Sequence, residues 1–143
     1  MGYSAVLFSS QTKQTDFKYV SLEISPLFCS MANSLIKRAG LAHLAESRYG
    51  VLEQHIDDLK KEFGSFDLIF LDHDLAFFLP HIQLLEKHGF IHDTTVFIAD
   101  NVKFPGAPDY LEYVKKNYDT QLIDTIVKPN FADQISVSKR IIK

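Results

Sequence analysis

Two short apolar runs, each ending abruptly in oxygen-bearing side chains, restrict the fold more than anything else in this chain. The first is Phe66-Asp-Leu-Ile-Phe-Leu-Asp-His-Asp74 and the second is Val96-Phe-Ile-Ala-Asp-Asn101. Apolar runs of this length, bounded by polar residues, read as strands buried on both faces of a parallel sheet. In open α/β sheets the ligand sits beyond the carboxyl ends of the strands, which puts Asp72, His73, Asp100 and Asn101 where chemistry is done. Asp72, Asp100 and Asn101 offer only oxygen, which suits a hard cation such as Mg²⁺ or Ca²⁺ better than a soft metal. Helix capping is the competing reading, since Asp and Asn are favoured N-caps. Against it, carboxylates at two adjacent strand ends are costly without a cation or hydrogen-bond donors.

The remaining chain supports an α/β reading. Residues 3–10 read as a short helix, 11–18 as a polar loop and 19–24 as a strand. Ser25-Pro26 supplies a cap and a first-turn proline. The helix that follows carries Phe28, Met31, Leu35 and Ile36 at helical spacing and ends at Gly40. A weak strand covers 45–49. Gly50 then turns into a helix with Leu52, Ile56, Leu59 and Phe63 on one face, stopped by Gly64. After the strand 66–71 come a helix over about 79–87, a strand 95–99, a loop 103–108 and a helix 109–116. Two β-rich stretches, 121–127 and 135–142, flank a turn at Pro129-Asn130 and are expected to pair as an antiparallel hairpin. Strand and helix alternate and a hairpin closes the chain, so the expected architecture is an α/β sheet with right-handed crossovers.

At 143 residues the chain suffices for one domain with a real core, and 46% apolar with 23% charged residues is an ordinary globular composition. A net charge of −3 without a basic block argues against a nucleic-acid partner. The lone Cys29 excludes an internal disulfide and any cysteine zinc site. No run is long enough to span a bilayer, and the start lacks a basic region of the signal-peptide type, so a cytoplasmic location is the default. Phe77 and Phe78 are read as core or docking residues.

Further candidates lie at other strand and helix junctions. Glu23 ends a strand directly before a helix, where an acid can bind the two hydroxyls of a ribose; a solvated acid at a strand end is the bland alternative. Gly2, before Tyr3-Ser4, is placed to let a ligand approach the backbone. Glu53 either faces a ligand or carries first-turn charge favoured by the helix dipole. The other histidines, His43, His55, His81, His88 and His92, show no zinc spacing.

Taken together, Gly2-Tyr-Ser-Ala-Val6, Leu22-Glu-Ile24, Phe70-Leu-Asp-His73, Ile98-Ala-Asp-Asn-Val102 and Pro105-Gly-Ala-Pro-Asp109 resemble the catechol O-methyltransferases. The resemblance implies a Rossmann-like sheet and Mg²⁺-assisted methyl transfer from S-adenosylmethionine to a hydroxyl of a small aromatic diol. It implies that Asp72, Asp100 and Asn101 are the Mg²⁺ ligands, with Asp72 and Asn101 the catalytic residues. For the cofactor it implies Ser4 near the methionine end, Glu23 on the ribose hydroxyls and His73 beside the adenine. Glu53 stands where the family has a glutamine, and Gly2, Ile24 and Asp72 complete the cofactor set. Three departures stand out. The family's tryptophan and general-base lysine are Asp74 and Leu75 here, and leucine cannot accept a proton. A family glutamate that binds the second catechol hydroxyl falls at about Val127. The chain also starts inside the family's cofactor loop, so it is expected to be a single, partial methyltransferase domain over 1–143, lacking the N-terminal helices and the central first strand and holding the cofactor weakly. Without that strand, the strands ending at Glu23 and Asp72 have no shared neighbour. Their open edges offer a route to homo-oligomers.

Overall fold

The computed structural model describes residues 2–11, 17–128 and 131–141, with backbone alone at 127 and 128. Most of the expected loop 11–18 and the Pro129-Asn130 turn lie outside the described residues. The chain divides into two compact units, Met1–Asp57 and Asp58–Lys143. No helix among the described residues is long and apolar enough to cross a membrane.

In the first unit, helix α1 (Tyr3–Gln11) precedes strand β1 (Tyr19–Glu23), helix α2 (Pro26–Arg38) and strand β2 (Ala45–Tyr49). β1 and β2 pair in parallel, Tyr19 opposite Ala45 and Glu23 opposite Tyr49. The start of α2 is encoded locally: Ser25 Oγ accepts the Phe28 N–H at 3.3 Å, and Pro26 occupies the first turn. The apolar spacing marks the helix but not its buried face. Cys29, Ala32 and Ile36 are buried, whereas Phe28, Met31 and Leu35 are each more than 40% exposed. Close packing explains this. Gly2 sits at φ +71°, and a Cβ there would lie 2.9 Å from the Ala32 Cα, so α2 meets its neighbour through small residues. The core there is Ala5, Ile36 and Ala45, flanked by Val6, Tyr19 and Leu41. The outer edge of β2 is closed by a side chain: the Asn33 amide donates to the Ser47 carbonyl and accepts the Ser47 N–H, both at 2.8 Å. That amide substitutes for the next strand.

Helix α3 (Leu52–Phe63) buries Leu52, Ile56 and Leu59, as its periodicity requires, and ends at Gly64 in a left-handed turn with φ +71°. In the second unit, strand β3 (Phe66–Leu71) leads through a 3₁₀ turn (Leu75–Phe77) to helix α4 (Phe78–Lys87). Strand β4 (Ile91–Ala99), an irregular helical turn (Val102–Gly106) and helix α5 (Pro108–Asn117) follow, then strands β5 (Tyr118–Lys128) and β6 (Phe131–Arg140). The sheet order is β3-β4-β6-β5. β3 and β4 are parallel, whereas β6 runs antiparallel to both β4 and β5, which makes the expected terminal hairpin. The strands reach further than their apolar runs: β5 starts at Tyr118 because ladder pairing continues through Asp119 and Thr120, and β4 starts at Ile91, opposite Phe66, with an irregularity before Val96 rejoins the ladder opposite Leu68. Phe78, Ile82, Phe90, Phe97, Tyr110 and Val114 form the centre of this unit's core. Phe78 meets Tyr110, and Phe97 meets Tyr118, edge-on. Phe77, by contrast, is 48% exposed and stacks on His81.

β3 departs from the expectation of a strand buried on both faces. Asp67 and Leu68 are exposed, while only Ile69 and Leu71 are buried. The reason is its place in the sheet: β3 pairs only with β4, and β1 only with β2, so each has one edge without a strand among the described residues. Among the described residues no strand pairs with both β1 and β3.

Glu86 on α4 ties the second unit together. Its carboxylate accepts hydrogen bonds from Tyr113 Oη on α5, at 2.5 Å, and from Tyr118 Oη at the start of β5. Desolvation, then the hydrogen bond and charge of Glu86, push the Tyr113 phenol up to about 12 and raise Tyr118 as well. A phenol whose folded value exceeds its unfolded one stabilises the fold fully below about pH 10 and loses that contribution as pH rises through the folded value. Replacing Glu86 with Ala leaves a buried phenol unpaired and is expected to cost about 2–3 kcal/mol. The check is a lowered urea midpoint together with earlier alkaline phenolate absorbance. An unchanged midpoint would mean that the clamp contributes no stability.

Candidate active site

The carboxyl ends of β3 and β4 lie side by side. Leu71 stands opposite Ala99 in the parallel register, and the Asp100 N–H donates to the Leu71 carbonyl at 3.0 Å. The chain therefore leaves the sheet at Asp72 and at Asp100-Asn101 in neighbouring positions. Partial burial, then the charge of Asp100, raise the Asp72 carboxyl above its usual range. Asp72 is exposed and Asp100 half-buried, so both carboxylates are open to a positive partner.

Asn101 leaves β4 with an unusual backbone. It is the non-glycine residue with positive φ among the described residues, at φ 57° and ψ 30°. Asn tolerates this left-handed conformation better than most residues, and such outliers cluster at functional sites. Asp100 Oδ1 accepts the Asn101 N–H at 2.8 Å and holds the turn. The following Phe104 is extended, with φ −140° and ψ 119°, as a residue before proline should be. This conformation, absent from the sequence reading of 103–108 as a plain loop, makes Val102–Gly106 a helical turn interrupted at its middle.

One residue at this end of the sheet escaped the sequence reading altogether. Asp133, fully buried on β6, accepts the Asn101 Nδ2 at 2.8 Å on Oδ2. Its Oδ1 takes three backbone N–H groups: Lys103 at 3.1 Å, Phe104 at 2.7 Å and Gln134 at 2.7 Å. Burial alone would raise this carboxyl, but the bonds from Asn101, Phe104, Gln134 and Lys103 outweigh it and hold it below the ordinary range. The sequence offered no signal for it, because the last β-rich stretch is read from 135 and β6 begins at Phe131.

His73 is engaged within the protein. Its Nε2 lies 2.9 Å from His81 Nδ1, the two rings stack at 4.8 Å between centroids, and Phe78 lies 5.0 Å from the His73 ring. His81 had looked like a scattered histidine, yet α4 folds back and sets it against His73. Asp74 caps the 3₁₀ turn by accepting the Ala76 N–H at 3.1 Å. Leu75 is half-buried and lines an open groove of about 290 Å³ with Leu79, Pro80 and Tyr110. Lys103 is exposed. Val127 falls at a register shift between Ile126 and Lys128, and its side chain lies outside the described residues.

The first unit carries the other candidates. Glu23 is half-buried at the end of β1, and its Oε1 accepts the Ser25 N–H at 2.9 Å, which orients the carboxylate and leaves Oε2 without a partner among the described residues. The Gly50 N–H donates to the Glu23 carbonyl at 3.0 Å. Ser4 is half-buried in the first turn of α1, Ile24 is 72% exposed, and Glu53 is exposed in the first turn of α3. Gly2 approaches the backbone of Ala32, so its missing side chain answers a packing need.

Among the described residues, no three His, Cys, Asp or Glu side chains form a metal cluster. The candidate cation set therefore rests on two carboxylates completed by an amide oxygen. Such a set, all oxygen and with excess negative charge, fits a hard divalent cation.

The O-methyltransferase family model matches residues 1–135. Catechol O-methyltransferase B of Danio rerio is 37% identical over 118 residues, covering 81% of this chain and 44% of that protein. The catechol O-methyltransferase of Bos taurus is 36% identical over 118 residues, covering 81% and 43%. This chain thus spans less than half the length of these two relatives. In fold it is similar to an O-methyltransferase from Bacillus cereus solved in complex with SAH, with a TM-score of 0.82 at 22% identity, covering 98% of this chain and 70% of that one. The α/β architecture is accordingly the Rossmann-like one of those enzymes, and the chain belongs to the O-methyltransferase family.

Proposed function

We propose that the chain, as one partial methyltransferase domain in a cytoplasmic setting, serves Mg²⁺-assisted methyl transfer from S-adenosylmethionine to a hydroxyl of a small catechol-type substrate. The observation that carries the reading is that Asp72 and Asp100-Asn101 follow directly on the neighbouring, parallel ends of β3 and β4 in a member of this family. When bound, Mg²⁺ lowers the pKa of a chelated hydroxyl and S-adenosylmethionine supplies an electrophilic methyl group. Asp72 and Asp100 supply charge for the cation, and Asn101 supplies a neutral oxygen from a fixed turn. In the first unit, Glu23, already oriented by Ser25, is the group for the ribose hydroxyls, and Gly2, Ser4, Ile24 and Glu53 are that unit's further cofactor candidates. In the second unit, His73 is held by His81 and Phe78. Phe104 and Phe131 lie 5.3 Å apart between ring centroids and are each nearly half exposed, an aromatic face on the Asn101 turn that suits an aromatic acceptor.

The test is transfer of a labelled methyl from S-adenosylmethionine to a simple catechol, with and without Mg²⁺. A labelled methyl ether formed only with Mg²⁺ is the expected result, and no product under either condition would overturn the catalytic reading. A second reading is favoured by Leu75 and by the open edges of β1 and β3: a non-catalytic binding module that associates through those edges. It predicts cofactor binding by calorimetry without turnover, and a homo-oligomer in sedimentation.

A further inference from the structure

Asn101 presents a problem that its position alone does not solve. An amide has an oxygen that can ligate a cation and an NH₂ group that repels it, and the two ends are nearly the same size. A site that needs the oxygen must therefore block the flipped rotamer. Only a partner that accepts and never donates can do so on the NH₂ side, and an ionised carboxylate is such a partner.

We infer that Asp133 is a positioning residue that fixes the Asn101 amide with Nδ2 turned inward and Oδ1 presented to the cation. The inference rests on the proposal that Asp72, Asp100 and Asn101 hold that cation. Its first support is geometry: Asp133 Oδ2 accepts Asn101 Nδ2 at 2.8 Å across 32 residues of sequence. Its second support is burial without a counter-charge. Asp133 is fully buried and no cationic side chain pairs with it among the described residues; N–H groups alone hold its charge. A buried carboxylate is an expensive way to anchor a loop that a neutral acceptor would anchor as well. A third support is the division of labour between its oxygens. Oδ1 takes the Lys103 and Phe104 N–H groups and pins the turn after Asn101, which leaves Oδ2 to the amide. The topology makes this possible. β6 runs antiparallel to β4 with Ala99 opposite Ser136, and continuing that register past the end of β4 brings Asp133 opposite Val102. Such partners of metal ligands typically change affinity by about 10–100-fold.

The experiment measures Mn²⁺ and Mg²⁺ binding to the full chain without methyl donor or catechol, by Mn²⁺ paramagnetic resonance and by cation-dependent melting. Asp133→Asn keeps the shape but allows the partner amide to donate, so the expected result is a cation affinity lower by about 10–100-fold. Asn101→Ala is expected to lower affinity too, and Asp133→Asn in that background should add nothing, because the amide it positions is gone. A purely structural role for Asp133 predicts a lower cation-free melting temperature with unchanged cation affinity, or additive losses in the double variant; either result overturns the inference. If Asp133→Asn does not fold, the wild-type Asn101 side-chain amide decides: its ¹⁵N–¹H pair, assigned by its loss in Asn101→Ala, is expected to be protected from exchange, and rapid exchange overturns the inference. Cation binding that survives Asp100→Ala points to a different cation site, and it refutes the ligand assignment and the inference together. Loss in Asp100→Ala with no change in Asp133→Asn refutes the inference alone.

Discussion

Replacing Leu75 with lysine is expected to raise methyl transfer to a simple catechol by about 10²–10⁴-fold at neutral pH, the usual contribution of a positioned general base. The position is prepared for one. Leu75 opens the 3₁₀ turn whose start is fixed by Asp74, which accepts the Ala76 N–H at 3.1 Å. Its side chain lines an open groove, so a longer side chain has room without disturbing the core. Leucine cannot take a proton, so any turnover of the native chain should be slow near neutrality and rise with pH as the catechol ionises. Lys103 is the conceivable substitute, since it follows Asn101 by two residues, yet it is exposed. The measurement is the pH–rate profile of Leu75→Lys beside that of Lys103→Ala. Flattening of the profile toward neutral pH in Leu75→Lys supports the account. No gain in Leu75→Lys, with turnover eliminated in Lys103→Ala, would show that the site has been rebuilt around Lys103.

The second large effect appears only with cation. Asp100→Ala removes a carboxylate whose charge helps raise Asp72, but it also removes the acceptor of the Asn101 N–H, so relief of repulsion and loss of that bond oppose each other and the cation-free melting temperature should change little. With Mg²⁺ the variant falls behind. A cation present at ten times its dissociation constant stabilises the native protein by about 1.4 kcal/mol, and Asp100→Ala should lose all of it. Because a bound metal supplies several kcal/mol of transition-state stabilisation, Mg²⁺-dependent turnover should fall by about 10³-fold or more. Retention of the full Mg²⁺ response in Asp100→Ala would place the metal elsewhere. The test is independent of the one on Leu75, because Asp100 bears on the charge that holds the cation and Leu75 on the group that removes the proton.

What the amino-acid sequence determined by itself is local. The Ser25-Pro26 start of α2, the Leu52, Ile56 and Leu59 face of α3 and its stop at Gly64 follow from capping, period and backbone freedom within a few residues. So do the strand ends that bear Asp72 and Asp100-Asn101, because an apolar run that stops at an acid fixes both the strand and its exit. The tertiary structure decided everything that depends on who the neighbour is. α2 buries Cys29, Ala32 and Ile36 and exposes Phe28, Met31 and Leu35 because close packing needs small residues, which hydrophobicity does not reveal. β3 exposes Leu68 because it is an edge strand, and an apolar run cannot say whether a second neighbour is present. His81 meets His73 through the fold-back of α4, and Asp133 reaches Asn101 through the register of two antiparallel strands. Both partnerships join residues that no periodicity links, so their physical basis, the pairing of polar groups whose burial would otherwise be costly, exists only once the chain has folded.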